Sequence, residues 1–435
     1  MKPSIFELSS LTLIDIIKND MLFRVAIKSA IRNYKLNTNE EISALSTILG
    51  ANLRHYYLLE EILKYEFNEI EGDEKYYYSI IISDALFSKK IDYKLVEKWE
   101  KKQESLNLPK GKLKEIYDKY SNLSSIDKIK DDYKEGKLTE FQYLSIRYNT
   151  PMWLIKMWHK HFNKFLYLIL KNNVHESDTS LGVNLRRINL DEILALPGFK
   201  SSNYEDMVLY SGKQLKTFEI VKNHMIYPLK ESERAILDEI EIHDDDHIVI
   251  LNDQRGDNFA LKLYEHINHT NWVKYITSSH EDYSKTRNFI KEEVMREKKD
   301  INNFVSYRSD MKDFKTCLLN DLDQNDYFIL LPKSSNFDEI KRSPDYLIHF
   351  KVEEMDELIN NQKTLVKESL NYIKNGGYLI YIVPTLNNKE GRNLIRDIIN
   401  SNKELTLVKD RQFFPFNDVH DSLYFAIIKK EVKDD

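Results

Sequence analysis

The run Gly376-Gly377-Tyr378-Leu379-Ile380-Tyr381-Ile382-Val383-Pro384-Thr385 constrains the fold more than any other stretch of this 435-residue chain. Ahead of it, Leu358, Ile359, Leu365, Val366, Leu370 and Ile373 recur at the three- and four-residue steps of an amphipathic helix, which the glycine pair is expected to terminate. After the glycines, Tyr378 to Val383 reads as a short apolar strand. This helix-then-strand unit is one period of a longer pattern that begins at Asp246. Strands are expected at His247 to Leu251, Val273 to Ile276, Tyr327 to Leu331 and Tyr378 to Val383, with helices ending near His266, Lys298, Ile373 and Ile399. A closing pair around Leu405 to Val408 and Ser422 to Lys429 fits a hairpin at the sheet edge. Such alternation predicts a doubly wound α/β sheet.

The rest of the chain follows other rules. From Ser4 to about Asn122 apolar residues keep helical spacing, as in Ile42, Leu45, Ile48 and Leu49, then Leu53, Tyr57, Leu58, Ile62 and Leu63, which predicts an all-α bundle. Lys110-Gly111 and the mixed-charge segment Asp127 to Lys137 read as linker. Between Phe141 and Leu237 the pattern becomes short helices with Val183 to Leu185 and Met207 to Tyr210 as candidate strands, a small α+β part. The expected fold is therefore multidomain: an all-α part over 1–135, a small α+β part over 136–237 and an α/β part over 238–435.

Composition narrows the function classes. A formal charge of −6 gives no global attraction to nucleic acid, so any RNA contact must come from local patches. The one cysteine, Cys317, excludes an internal disulfide and a cysteine-rich zinc site, in keeping with a reducing compartment. No run of roughly 18 apolar residues occurs, and Met1-Lys2-Pro3-Ser4 leads directly into amphipathic sequence. Together these features predict a cytoplasmic protein without membrane segments.

Several segments resemble the Sun/Fmu-type small-subunit rRNA cytosine-C5 methyltransferases over nearly the whole chain. Ala44-Leu45-Ser46-Thr47-Ile48-Leu49-Gly50-Ala51-Asn52-Leu53-Arg54 is similar to the family's helix that carries a glycine and then an arginine. Ile146-Arg147-Tyr148-Asn149-Thr150-Pro151-Met152-Trp153-Leu154 resembles its Pro-x-Trp-Leu signature, and Gly182-Val183-Asn184 its Arg-Val-Asn step with glycine in place of arginine. Ile340-Lys341-Arg342-Ser343-Pro344-Asp345 is similar to the stretch after the family's first cysteine, and Asp421-Ser422-Leu423-Tyr424-Phe425 to its closing Asp-Gly-aromatic strand. The resemblance implies a NusB-like helical domain, a small RNA-facing domain, a Rossmann-like methyltransferase domain, S-adenosylmethionine as cofactor and rRNA as partner.

It also implies where the chemistry belongs. Methylation at C5 needs a nucleophile that adds to C6, and the family uses a thiolate, which is strong and accessible near neutral pH. The family's two cysteine positions fall here on Ser334, in Leu331-Pro332-Lys333-Ser334, and on Pro384, in Val383-Pro384-Thr385. Proline has no nucleophile, and Ser334 has no base evident beside it. Cys317 precedes its strand instead of following it, and reads as a small buried hydrophobe or as a relocated nucleophile. The expected cofactor turn, Asn252-Asp253-Gln254-Arg255-Gly256-Asp257-Asn258, keeps one glycine, and the acidic position that would accept ribose hydroxyls falls near Thr277. Asp253 and Asp257 would set negative charge where a methionine carboxylate should sit, while Asp310 matches the family's adenine-side acid. The competing reading of the turn is a plain βα connection.

Local patches remain for RNA. Lys156, Lys160 and Lys164 stand at four-residue steps beside Trp153, Trp158, His159 and His161, and Arg186-Arg187 follow a candidate strand. Such a face either holds phosphates and stacks bases or is an amphipathic helix with its tryptophans in a core. Arg147 and Arg342, in the segments that carry the resemblance, complete the candidate RNA contacts. His243-Asp244-Asp245-Asp246-His247 reads as a charged turn and not as a metal site, because adjacent residues rarely converge on one ion. Three readings follow: a catalytically lapsed family member that binds RNA or a ribosome-related partner, an active S-adenosylmethionine-dependent methyltransferase with relocated groups, or a scaffold whose helical domain docks a protein.

Overall fold

A computed structural model of the chain describes residues 3–67, 70, 72–101, 109–121, 131–132, 134–174, 178–212, 215–254, 256, 258–297, 303–417 and 419–431. Part of the expected linker between Asp127 and Lys137 (127–130 and 133), and Arg255 and Asp257 of the cofactor turn, lie outside the described residues. The chain forms two compact units, residues 1–176 with 339–351, and residues 177–338 with 352–435. The expected 1–135 part lies in the first, the 136–237 stretch is shared between them, and 238–435 belongs to the second apart from 339–351.

The first unit is helical. Ser4 and Thr38 accept from the backbone of Glu7 and Glu41 and start the helices Ile5–Ile17 and Asn39–Arg54, and Thr139 with Gln142 forms a capping box ahead of Glu140–Tyr148. Phe6, Leu13, Leu45, Leu49, Leu53 and Ile81 are fully buried in the core. Two of the segments carrying the resemblance meet here. Asn149, held at φ +48°, donates from its amide to the Leu53 carbonyl at 2.8 Å and accepts from the Tyr57 N–H at 3.2 Å. The inserted segment 339–351 is anchored by Asp345, which accepts the Phe23 N–H at 2.7 Å, by His349 against Asp20 at 2.7 Å, and by Phe350 stacked on Trp153.

The second unit holds two sheets. The smaller, in the order β2-β3-β1-β4, is antiparallel and joins β1 Thr179–Val183, β2 Phe199–Ser201, β3 Met207–Tyr210 and β4 Ile226–Pro228. Strand β1 starts earlier than the expected Val183-Asn184-Leu185, because Asn184 leaves the ladder to turn the chain toward Arg186 and Arg187. A Cβ on Gly182 would stand 2.9 Å from the ring of Tyr227, its partner on the neighbouring strand β4, so the glycine leaves room for that ring.

The larger sheet contains β5 His247–Asn252, β6 Trp272–Thr277, β7 Phe304–Arg308, β8 Asn325–Leu331, β9 Ile373–Val383, β10 Leu405–Phe413 and β11 Leu423–Lys430. Its order, β10-β11-β9-β8-β5-β6-β7, is parallel from β9 to β7, with β11 and β10 closing as the antiparallel hairpin expected at the edge. Strand β7 was absent from the expectation; only Phe304 of its five residues is buried, which leaves little apolar signal. The glycine pair also acts differently from its sequence reading. The helix ends at Ser369, a 3-10 turn follows over Leu370–Tyr372, and Gly376 and Gly377 lie inside β9. They form a bulge there: Gly376 adopts φ +84°, the register jumps between Asn325 and Tyr327, and a Cβ on Gly377 would meet the Asn325 carbonyl at 2.9 Å. Among the described residues no helix is long and apolar enough to cross a membrane.

Candidate functional site

Chain order along the large sheet reverses between β5 and β8, and in doubly wound sheets the crevice at the carboxyl ends of such strands is where ligands bind. Four loops border it here: those after Asn252, Thr277, Leu331 and Val383.

The β5 and β6 side uses its polar groups inward. Asn252 is fully buried; its amide donates to the Tyr275 hydroxyl at 3.1 Å and its oxygen accepts the Gln254 N–H at 2.8 Å. Gln254 then reaches across the crevice, its Nε2 donating to the carbonyls of Pro332 and Ile382, each at 3.3 Å. Gly256, at φ +76°, donates its N–H to Asp282 at 3.0 Å. Thr277 is fully buried and its hydroxyl oxygen accepts the Ser279 N–H at 3.2 Å, so it serves the following turn. Asp253 accepts from the Ser278 hydroxyl at 3.0 Å, and burial raises its carboxyl above the usual range. Asp310 is exposed and accepts the Lys312 N–H at 2.9 Å, an ordinary turn contact. A cavity of about 170 Å³ opens beside this loop, lined by Asp253, Lys333, Glu354, Glu357, Asn361 and Gln362 among others.

The β8 and β9 side is closed. Ser334 is half-buried and accepts the Asn336 N–H at 3.2 Å, and Pro384 is buried. Their neighbours Ser335 and Thr385 turn inward to Glu390, which is fully buried ahead of the helix Arg392–Ser401. Glu390 accepts from the Ser335 hydroxyl at 2.5 Å, the Thr385 hydroxyl at 2.8 Å, the Asn387 amide at 3.2 Å, the Ser335 N–H at 2.7 Å and the Gln362 amide at 3.1 Å. Five neutral donors thus solvate one carboxylate, which is how a buried charge without a cation is tolerated. Sequence reasoning missed Glu390, Gln254 and Gln362; the available signal was an acid between an apolar strand and its helix, with threonine five residues before it.

Cys317 is half-buried on the 3-10 turn Phe314–Leu318. That turn packs through Phe314 against Phe328 and Tyr372, toward the amino ends of β8 and β9 and away from Leu331 and Val383.

The candidate RNA contacts fall in both units. In the first, Lys156 and Lys160 are exposed on the helix Met152–Phe162, and Arg147 is exposed over the rings of Tyr143 and Tyr148. Trp158 is fully buried and Trp153 stacks on Phe350, which removes the tryptophans from the base-stacking role considered above. Arg342 is half-buried and lies 3.5 Å from Glu339. In the second unit Arg186 is exposed, whereas Arg187 is ion-paired with the buried Glu293 and donates to the Asn223 carbonyl at 2.7 Å. Arg187 therefore holds structure and is not an open phosphate contact. The charged segment His243–His247 is a turn in which the His243 N–H donates to Asp246 at 2.7 Å. Among the described residues no group of three or more His, Cys, Asp or Glu is arranged to hold a metal.

No protein-family sequence model matches this chain, and no curated protein sequence does. Solved structures match its fold. A crystal structure of PH0851 superposes with a TM-score of 0.71 at 14% identity, covering 97% of each chain. NSun6 from Pyrococcus horikoshii, crystallised with SFG, gives 0.54 at 12% identity over 66% of this chain and 99% of that one. A methyltransferase homolog protein from Pyrococcus horikoshii gives 0.53 at 14% identity over 68% of this chain and all of its own, 100%. The multidomain fold expected from the sequence, a helical N-terminal region and a Rossmann-like methyltransferase sheet, is thus the fold of the chain, and the resemblance to the Sun/Fmu type is supported at that level.

Proposed function

We propose that this protein keeps the fold of a Sun/Fmu-type rRNA methyltransferase without transferring methyl groups to cytosine, and acts in the cytoplasm by binding RNA or a ribosome-related partner. The observation that carries this reading is the state of the two strand ends where the family places its cysteines. Ser334 and Pro384 stand there without a thiol, and the adjacent hydroxyls are locked onto Glu390. The pair Ser335 and Glu390 has the geometry of a nucleophile beside a base, but a nucleophile must meet its substrate. Ser335 is 1% exposed, and Thr385 and Glu390 are each fully buried, so no base can reach them. Cys317 lies toward the amino ends of β8 and β9, the opposite strand ends from Ser334 and Pro384.

The residues present do not fit S-adenosylmethionine. Thr277 offers no carboxylate to the ribose, Gln254 spans the crevice, and the cavity of about 170 Å³ is below the roughly 300 Å³ at which small-molecule pockets begin. Asp253, Glu354 and Glu357 line it with Lys333, a net negative wall for a ligand that carries a carboxylate. RNA binding rests on Arg147, Lys156, Lys160 and Arg186, whose exposed cations suit phosphate contacts that position a nucleic acid without reading its sequence.

The test is methyl transfer from labelled S-adenosylmethionine to a small-subunit rRNA transcript, alongside calorimetric titration of the protein with the cofactor. Neither transfer nor binding heat is expected; transfer that disappears on Cys317→Ala overturns the reading. RNA affinity is checked by filter binding, where Lys156→Glu with Lys160→Glu should weaken binding about tenfold at low salt. An unchanged affinity favours the scaffold reading, in which the helical unit docks a protein.

A further inference from the structure

The helix Arg392–Ser401 has a sharply divided surface: Leu394, Ile395 and Ile398 are buried, while Arg392 and Arg396, one turn apart, are exposed. It packs against β10, the edge strand of the large sheet. Strand β10 carries a register shift between Leu407 and Lys409, and such a bulge bends an edge strand locally. Between helix and strand lies a cavity of about 260 Å³. Its walls are Ile395, Ile399, Leu407 and the ring of Tyr424, and Leu407 remains 41% exposed beside the opening.

The charges at the mouth are unequal. Asp410 accepts from Arg392 Nε at 2.9 Å and from the Tyr424 hydroxyl at 3.2 Å, so its carboxylate is compensated within the protein. Arg396 makes a contact at 3.1 Å with the neutral side-chain oxygen of Asn393 and no ion pair among the described residues. The site is thus an apolar socket with net positive charge at its rim. We propose that it is a docking socket for a protein partner, taking one large apolar side chain flanked by acidic residues. A nucleotide suits it poorly: the volume is below the roughly 300 Å³ of small-molecule pockets, and the walls are mainly aliphatic. Pairing of a partner strand along β10 is opposed by the bulge, a device that blunts sheet edges. The socket therefore recognises a side chain and its neighbouring charges.

Fluorescence anisotropy with the full-length protein tests this, using a fluorescein-labelled nonapeptide that has one tryptophan between glutamates. Saturable binding is expected, lost when the tryptophan is replaced by alanine or the glutamates by lysines. Arg396→Glu and Leu407→Glu, both at exposed positions, should each weaken it about tenfold. Arg411→Glu, on the opposite face of β10, should change it by no more than about twofold. Circular dichroism establishes that each variant is folded. The proposal is overturned by absence of saturable binding, by equal binding of the lysine peptide, by indifference to both socket variants, or by full competition from a single-stranded oligouridine.

Discussion

The carboxyl ends of β8 and β9 and those of β5 and β6 border one crevice, yet they are built by opposite rules. At β8 and β9 a charged group is buried completely and every direction around it is occupied by a donor. At β5 and β6 the polar side chains bond to the turn, to Tyr275 and across the crevice, and a charged group, Asp253, sits beside a cavity with the Ser278 hydroxyl and the Lys333 backbone as partners. The difference teaches that neighbouring strand ends of one sheet can handle a carboxylate in opposite ways, one by full burial among donors and one beside a cavity. The first wall is thus committed to stability, while Asp253 of the second lines a cavity together with Lys333 and Gln362.

Glu390→Ala breaks this comparison most directly. It strands two hydroxyls, two amides and a backbone N–H inside the protein, each costing about 1–3 kcal/mol where no other acceptor is in reach. Ser335 and Thr385 still have each other at 2.9 Å, and Gln362 still has the Lys333 carbonyl at 3.0 Å, so the net loss is on the order of 3 kcal/mol. Urea unfolding monitored by circular dichroism measures it. A loss below about 1 kcal/mol would mean that the wall is held by packing and that the two strand ends are not different in kind.

How much of this could be read from the chain depends on the range of the signal. Strands β5, β8 and β9 announce themselves because they are buried on both faces, and a run such as Ile380-Tyr381-Ile382-Val383 has few other uses. Strand β7 does not, since an edge strand with exposed Val305 and Arg308 looks like a loop. Gly376 and Gly377 misled for a related reason: glycine stops helices and also allows bulges, and what decides between them is the close approach of the Asn325 backbone, some fifty residues distant. The absence of both thiols was legible by simple counting. The identity of what replaced them was not, because Ser335 and Glu390 are 55 positions apart and a single acid has no periodicity. Arg186 and Arg187 make the same point, since only the fold shows that the second is taken by Glu293, 106 residues away.

The turn after β5 gives a smaller expected effect. Asn252→Ala removes an amide that donates to Tyr275 and an oxygen that accepts the Gln254 N–H. Both partners lie near the crevice and Gln254 is only half-buried, so water can replace part of what is lost, and the cost should be about 1–2 kcal/mol. Gln254 should then release the Pro332 and Ile382 carbonyls, seen as faster amide exchange in residues 253–256. An effect equal to that of Glu390→Ala would show that the two walls form one network.

The smallest effect has a definite sign. Burial, the largest influence on Asp253, raises its carboxyl pKa above the unfolded value of 3.8, against the lesser pull of Ser278 and Lys333. A carboxyl whose pKa is higher in the folded state binds protons more readily there, so folding is favoured below pH 3.8 and that advantage disappears as pH rises through the folded value. At neutral pH the ionised Asp253 is therefore a small burden on the fold. Asp253→Asn should raise the thermal midpoint slightly at pH 7 and leave it unchanged, or lower it, near pH 3, because the asparagine keeps the Ser278 contact at 3.0 Å without the charge. A midpoint that falls at pH 7 would mean that Lys333 compensates the carboxylate after all, and that the open side of the crevice holds its charge as firmly as Glu390 is held on the closed one.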